Sequence, residues 1–342
     1  MKKYLLKISI FALLLLGIIV SVSVIIDPYN VFHYEYPVDN GVEANKNFIK
    51  TKYLLKHSDE FDSLVFGSSR AGFVDVASLP DGKYYNMSSS EAVPAEHLNT
   101  LKVLIKNDFV PENVLILMDD ISCFVNPALH EEMLYRVPYP TGGFLSHLEF
   151  YRKYCDVITN LEALQVILNY QEEDSAYTRR FRESGMERTD IAVDFDGTGH
   201  GGFWAEYYSL RLEECMGEIR ELIELCEEYD INLRIATNPL YYKTYANSAE
   251  NGYLDFLEAL SEVTEFYNFS SFSEITTNDA NYYEPSHFNV ETTKLMMDVM
   301  YQDWHNEELL AQGFGVKVTK ENKDDFLLFL RQQGEEYGVT LP

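Results

Sequence analysis

The sequence predicts an α/β domain built on a parallel sheet and carried by one membrane-crossing helix. Three observations lead there. Ile8 to Ile26 (ISIFALLLLGIIVSVSVII) runs nineteen residues without a charge. Beyond it, short unbroken apolar runs end in turn residues, as strands buried on both faces do. Between these runs lie segments with helical periodicity, and strand alternating with helix means a parallel sheet covered on both sides.

The apolar segment gives about 28 Å of helix at a rise of 1.5 Å per residue, close to the hydrocarbon thickness of a bilayer. Lys2, Lys3 and Lys7 precede it and Asp27-Pro28 closes it. The positive-inside rule then puts residues 1–7 in the cytoplasm, 8–26 in the membrane and the remainder outside. A cleaved signal peptide is the rival reading; the length of the run and the lack of a small-x-small site after it argue for an uncleaved anchor.

Residues 27–62 form a lead-in, opening with the aromatic, irregular YNVFHYEYPVDN. The α/β domain spans 63–312. SLVFGSS (63–69), KYYNMSSS (83–90), NVLILMDD (113–120), INLRIATNP (231–239) and EFYNFSS (265–271) read as strands with their terminal turns. Residues 96–108, 205–229, 251–263 and 290–304 have helical spacing; in the second, Leu212, Cys215, Ile219, Leu222, Ile223 and Cys226 share a face. The segment at about 126–203 breaks the rhythm. It carries VPYPTGG, two helical stretches in 144–170 and DFDGTGHGG, and reads as an insertion over one end of the sheet that could form a substrate cleft. DFDGTG has the flavour of a calcium loop, but position twelve is Ala205, so a turn is the better reading; His200 beside it could face the cleft. Residues 313–342 read as a helical appendage.

Lys and Arg number 27 against 55 Asp and Glu, a formal charge of −28. All three charges before Asp27 are lysines, so the rest of the chain carries 24 cations against 55 anions, a net −31. Such a surface repels nucleic acid. The four cysteines form no CxxC, and no His/Cys cluster has zinc spacing. Cys215 and Cys226 lie eleven residues apart on one expected helix, about 16 Å of rise and too far to bridge. Cys123, Cys155, Cys215 and Cys226 therefore read as small apolar residues. No P-loop or GxGxxG is present, and no cofactor or metal is expected.

Ligands of open parallel sheets bind beyond the carboxyl ends of the strands. Those ends here hold Gly67-Ser68-Ser69-Arg70, then Asn86 and Ser88-Ser89-Ser90, then Asp119-Asp120. Far along the chain, the last strand is followed by Tyr283-Glu284-Pro285-Ser286-His287-Phe288. A serine hydroxyl needs a base to take its proton, and the base needs a third group to fix its tautomer. Ser69 as nucleophile, His287 as base and Glu284 as orienting acid supply that set. Arg70 could hold an anionic substrate group or form a structural ion pair.

FGSSRAGF after the first strand and a terminal acid-x-x-His resemble the SGNH (GDSL-type) hydrolase superfamily. DPYNVF after the anchor, GSSR, EPSHFN and the FGVKVT…LRQQGEEY tail resemble more closely its membrane-anchored members in bacterial envelopes, such as the teichoic acid D-alanyl transfer and alginate O-acetylation proteins. The resemblance implies a flavodoxin-like three-layer parallel sheet with helices on both faces, a serine nucleophile at Ser69 and a Glu284–His287 pair. It further implies O-acyl transfer or ester hydrolysis on an envelope polysaccharide or teichoic acid-like polymer, with a polytopic membrane acyltransferase as the source of acyl groups. The chain departs from that pattern in its blocks. Ser68 replaces the usual Asp, Asn86-Met87-Ser88-Ser89 replaces a Gly, and Asp120 occupies the place of an Asn donor. The oxyanion donors expected are the Ser69 amide and Ser88 or Ser89. Asp120 at that site favours the alternative of a catalytically inactive binding or scaffold protein on the same fold.

Overall fold

The computed structural model describes residues 2–130, 133–170, 181–187, 194–198, 203–302, 304 and 306–341. Among these residues eight strands form: β1 (Ser63–Gly67), β2 (Tyr84–Asn86), β3 (Asn113–Met118), β4 (Asn232–Thr237), β5 (Phe266–Asn268), β6 (Tyr282–Glu284), β7 (His287–Phe288) and β8 (Val316–Val318). The helices are α1 (Lys2–Ile26), α2 (Lys46–Lys56), α3 (Pro94–Lys106), α4 (Asp120–Phe124), α5 (Phe144–Lys153), α6 (Val157–Asn169) and α7 (Phe181–Ser184) in the first half. In the second half they are α8 (Leu212–Glu228), α9 (Tyr242–Glu250), α10 (Tyr253–Val263), α11 (Val290–Tyr301), α12 (Glu307–Ala311) and α13 (Lys323–Glu336).

One six-stranded sheet runs in the order β2-β1-β3-β4-β5-β8. The first five strands are parallel and β8 is antiparallel to β5. The parallel part has the 2-1-3-4-5 order of doubly wound sheets. β1 and β3 are buried along their whole length, which is why they read as unbroken apolar runs. Alternate residues serve two cores. Leu64, Phe66, Val114 and Ile116 face the layer holding α3, α8 and α10, while Val65, Leu115, Leu117 and Ala236 face the layer holding α11. The carboxyl ends are in register: Val65 pairs with Asn86, Gly67 with Leu117, and Met118 with Thr237. The loops after β1, β2, β3 and β4 therefore leave the sheet side by side.

Three sequence expectations change. The lead-in contains α2, and residues 205–207 form a separate short turn before α8 begins at Leu212. The tail is no appendage. β8 completes the sheet, and Phe326, Leu327 and Leu330 of α13 are buried in the same core as α10. A three-residue strand too short to show periodicity is what hid this. The described part of the 126–203 insertion divides: Phe150 of α5 stacks on Phe48 of α2 at 4.3 Å and α6 packs on α1, while α7 packs on β2 and the Glu187 amide bonds the Gly72 carbonyl in the loop after β1 at 2.8 Å. Asp196 Oδ1 accepts the Thr198 amide at 3.0 Å, a turn, while His200 lies outside the described residues. All four cysteines are unpaired, with Cys123, Cys215 and Cys226 buried.

α1 is long and apolar enough to cross a membrane, and only 6% of its most apolar window is buried. It joins the domain through a collar. The Asp27 carboxylate accepts the amides of Val31, Phe32 and His33 at 2.9, 2.9 and 2.7 Å.

If the tail is core, truncating it inside should cost what core truncations cost. Leu330 is 1% exposed and Leu328 on the same helix 55%. Leu330→Ala should lower the unfolding free energy by about 2–5 kcal/mol. Leu328→Ala should stay within about 0.5 kcal/mol. Urea midpoints of the two variants check this.

Candidate active site

The loop that carries Ser69 begins where β1 runs close against Ala71 and Leu117. A Cβ on Gly67 would lie 2.6 Å from Ala71 Cβ and 2.9 Å from the Leu117 carbonyl oxygen, so a glycine is required there. Ser68 then caps a short 3-10 turn over Ser69–Phe73. The Ser69 amide makes no hydrogen bond among the described residues.

Glu284 and His287 arrive on a hairpin. They are direct partners across the antiparallel pair β6–β7, joined by Pro285-Ser286. Direct cross-strand partners lie with their Cβ atoms about 4.5–5.5 Å apart on one face. That geometry turns a three-residue spacing into a carboxylate-imidazole contact. His287 Nδ1 bonds Glu284 Oε1, and His287 Nε2 lies 2.8 Å from Ser69 Oγ. Glu284 Oε2 accepts the Ser286 amide at 2.7 Å. Burial raises the Glu284 pKa, but the bond and charge of His287, the Ser286 amide and Arg70 outweigh it, and the carboxyl stays below its ordinary value. The His287 side chain is 27% exposed, so the imidazole is open to a ligand.

Arg70 fixes the hairpin to the loop. Its side chain is 1% exposed; Nε donates to the Ser286 carbonyl at 2.9 Å and Nη1 to Asp120 Oδ1 at 2.6 Å, with Asp119 Oδ2 at 3.0 Å. Asp119 Oδ2 also accepts Ser68 Oγ at 2.6 Å and Asn238 Nδ2 at 2.9 Å. Asp120 Oδ2 accepts Ser248 Oγ at 2.7 Å. Burial and the neighbouring Asp119 hold the Asp120 pKa above its ordinary value, against the pull of Arg70. Nε and Nη1 of Arg70 are thus committed to the protein, while Nη2 is buried without a hydrogen-bond partner among the described residues. Asp120 points into this ion cluster, where Arg70 and Ser248 occupy both of its oxygens.

The second block is committed too. Asn86 Nδ2 donates to the Ala71 carbonyl at 2.7 Å, and Asn86 Oδ1 accepts the Ser88 amide at 2.9 Å. The Ser89 amide bonds the Gly67 carbonyl at 3.3 Å. Asn86 and Ser88 are 0% exposed and Ser89 6%. These residues shape the loop beside Ser69, and their amides are not free for a ligand; the Ser69 amide is. Sequence reading missed Lys50, which reaches this loop from α2. Its Nζ donates to the Ser88 carbonyl at 2.6 Å and approaches Ser88 Oγ at 3.3 Å. Burial draws Lys50 down to about 7, with Glu187 and Glu43 opposing and Lys46 adding to the fall. Next to it, Lys46 bonds Glu187 at 2.7 Å, and the Glu187 amide bonds the Gly72 carbonyl at 2.8 Å. KNFIKTKYLLK gives no warning of this, since buried lysines invert the usual polar-outside pattern.

No family model matches this chain, and no curated protein matches it significantly.

Removing the cation from the cluster leaves Asp119 and Asp120 buried without it. Arg70→Met should cost about 3–5 kcal/mol of stability at neutral pH, the usual result of breaking a buried ion pair. An acid whose folded pKa exceeds its unfolded value destabilises above that folded pKa and ceases to do so below the unfolded one. The deficit of Arg70→Met should therefore shrink as pH falls towards about 4, the unfolded value of Asp. Urea midpoints measured across that range check the sign.

Proposed function

We propose that this chain is an extracytoplasmic serine-dependent O-acyltransferase or esterase of the SGNH type that acts on a cell-envelope glycopolymer. The observation that carries it is the 2.8 Å contact between Ser69 Oγ and a His287 whose other nitrogen is held by Glu284. Ser69 Oγ attacks the acyl carbon and its proton passes to His287 Nε2. The tetrahedral oxyanion forms beside the Ser69 amide, a donor of the kind such an intermediate needs. Collapse breaks the bond to the donor alcohol, which leaves with the proton from His287, and Ser69 keeps the acyl group as an ester. A polymer hydroxyl or water, deprotonated by His287, then attacks that ester and regenerates Ser69. Glu284 holds the Nδ1 tautomer and the charge of the imidazolium.

The basic flank and uncharged run of α1 support a single-pass anchor with a cytoplasmic N-terminus and an outward domain. An anchored domain stays where a nascent or lipid-linked polymer emerges, which favours transfer over hydrolysis. The acyl donor would come from a polytopic membrane acyltransferase. A scaffold on the same fold is the second reading, favoured by the committed amides of Ser88 and Ser89 and the ion-paired Asp120, which take those expected groups out of any oxyanion hole.

A serine-reactive fluorophosphonate should label the wild-type chain at Ser69 and fail to label Ser69→Ala; an unlabelled wild type sends the assignment to the scaffold. On a small acetyl ester, Ser69→Ala and His287→Ala should each lose activity by up to about 10⁶, and the double variant should be no worse than either. Glu284→Gln should lose up to about 10⁴. Reporter fusions after residue 40 should be active with an extracytoplasmic reporter and silent with a cytoplasmic one; the reverse result removes the envelope substrate.

A further inference from the structure

α6 (VITNLEALQVILN) carries one charge, Glu162, in thirteen residues. Its helix is properly started, since Asp156 caps it by accepting the Thr159 amide at 2.9 Å. Yet it buries little. Asn160 and Ala163 are its buried residues, while Ile158, Leu161 and Leu168 are 69, 60 and 75% exposed. Ile158, Leu161 and Leu168 fall within about 80° of one another at 3.6 residues per turn, so these three share one face of the helix. An isolated stripe of this kind on an ordinary surface would be costly.

What α6 packs against says what covers it. Asn160 Nδ2 donates to Ser23 Oγ of α1 at 2.9 Å, in a buried contact. The same amide also bonds the Tyr154 and Asp156 carbonyls at 3.1 and 2.8 Å, so it is fully occupied, as an amide in apolar surroundings must be. Ser23 is the one buried residue of α1. It lies sixteen residues beyond Lys7, about 24 Å along the helix axis. A hydrocarbon layer is about 30 Å thick, so this contact falls within it or at its outer edge.

We infer that α6 is a second membrane contact, a non-spanning helix lying in the outer leaflet beside α1 with Ile158, Leu161 and Leu168 in the acyl chains. The occupant of the stripe is lipid. A helix of this kind has its backbone satisfied internally and needs only an apolar face at the interface. The inference rests on the anchor reading of α1 and adds that the domain is seated on the bilayer instead of hanging below it.

The test uses the full chain in phosphatidylcholine vesicles, with Cys155→Ser as background because the other cysteines are buried. Nitroxides are placed singly through Leu161→Cys, Leu168→Cys, Leu14→Cys in mid-span and Leu328→Cys on α13. Power saturation compares collisions with oxygen, which concentrates in lipid, and with a water-soluble nickel chelate. The Leu161 and Leu168 labels should favour oxygen, as Leu14 does, reversing the ratio read at Leu328. Labels at 161 and 168 that read like Leu328 while Leu14 reads lipid would overturn the inference and leave the anchor standing. Low collision with both reagents at 161 and 168 would also overturn it, since a second copy of the chain would then cover the stripe. A water-like Leu14 would bring down the anchor and the inference together.

Discussion

A guanidinium that no water can reach has to find its counter-charges inside the protein, and at Arg70 that constraint organises the site. The cation is fully buried between the end of β3 and the β6–β7 turn. Its partners lie about 50 and 216 residues away along the chain, so three remote segments meet only if all contribute their groups. The residue before Arg70 is Ser69 and the residue after its Ser286 partner is His287. The spacing between the two groups proposed for proton transfer is thereby inherited from an ion cluster. The same logic repeats at smaller scale behind the second block, where Lys50 and Lys46 pin the loop and the Glu187 segment from α2.

Wherever burial followed apolarity, the fold was legible. NVLILM reads as a buried strand because each of its side chains is enclosed, and α8 shows its 3.6 period because Cys215, Ile219, Leu222 and Cys226 line one face. The elements that escaped notice bury polar groups. α2 turns Lys46, Lys50 and Thr51 inward, and α9 (YKTYANSAE) buries Thr244, Asn247 and Ser248, so a hydropathy pattern runs against the truth in both. β8 is VKV, its lysine exposed, and gains its place only by pairing with β5.

The site divides the same way. Ser69, Glu284 and His287, which the structure brings into contact, could be picked out as candidates because their signals are local: a turn after a strand, and an acid three residues from a histidine. The β-hairpin that makes the second pairing work could not be read from the spacing, which suits a helix as well. Asp119-Asp120 stood out as two acids at a strand end, but nothing in the residues around them revealed that the facing cation is the neighbour of the serine. With the partner unseen, an acid there looked like a defect in an oxyanion hole; with Arg70 in place it belongs to a buried cluster of two acids around one cation.

The Asp27 collar has a consequence for how the domain would search for substrate. A flexible linker of n residues lets a tethered site sweep distances of about 5–6 Å × √n. Here the chain leaves α1 and is gathered at once onto one carboxylate by three amides, so no such slack exists at this joint. With α1 in a bilayer, the site is held at a fixed height and can explore only by the diffusion of the whole molecule in two dimensions. On the proposed function, encounter would then depend on where a substrate presents its hydroxyls above the membrane: a polymer threading past at that height would be met repeatedly, and one free in the bulk scarcely sampled.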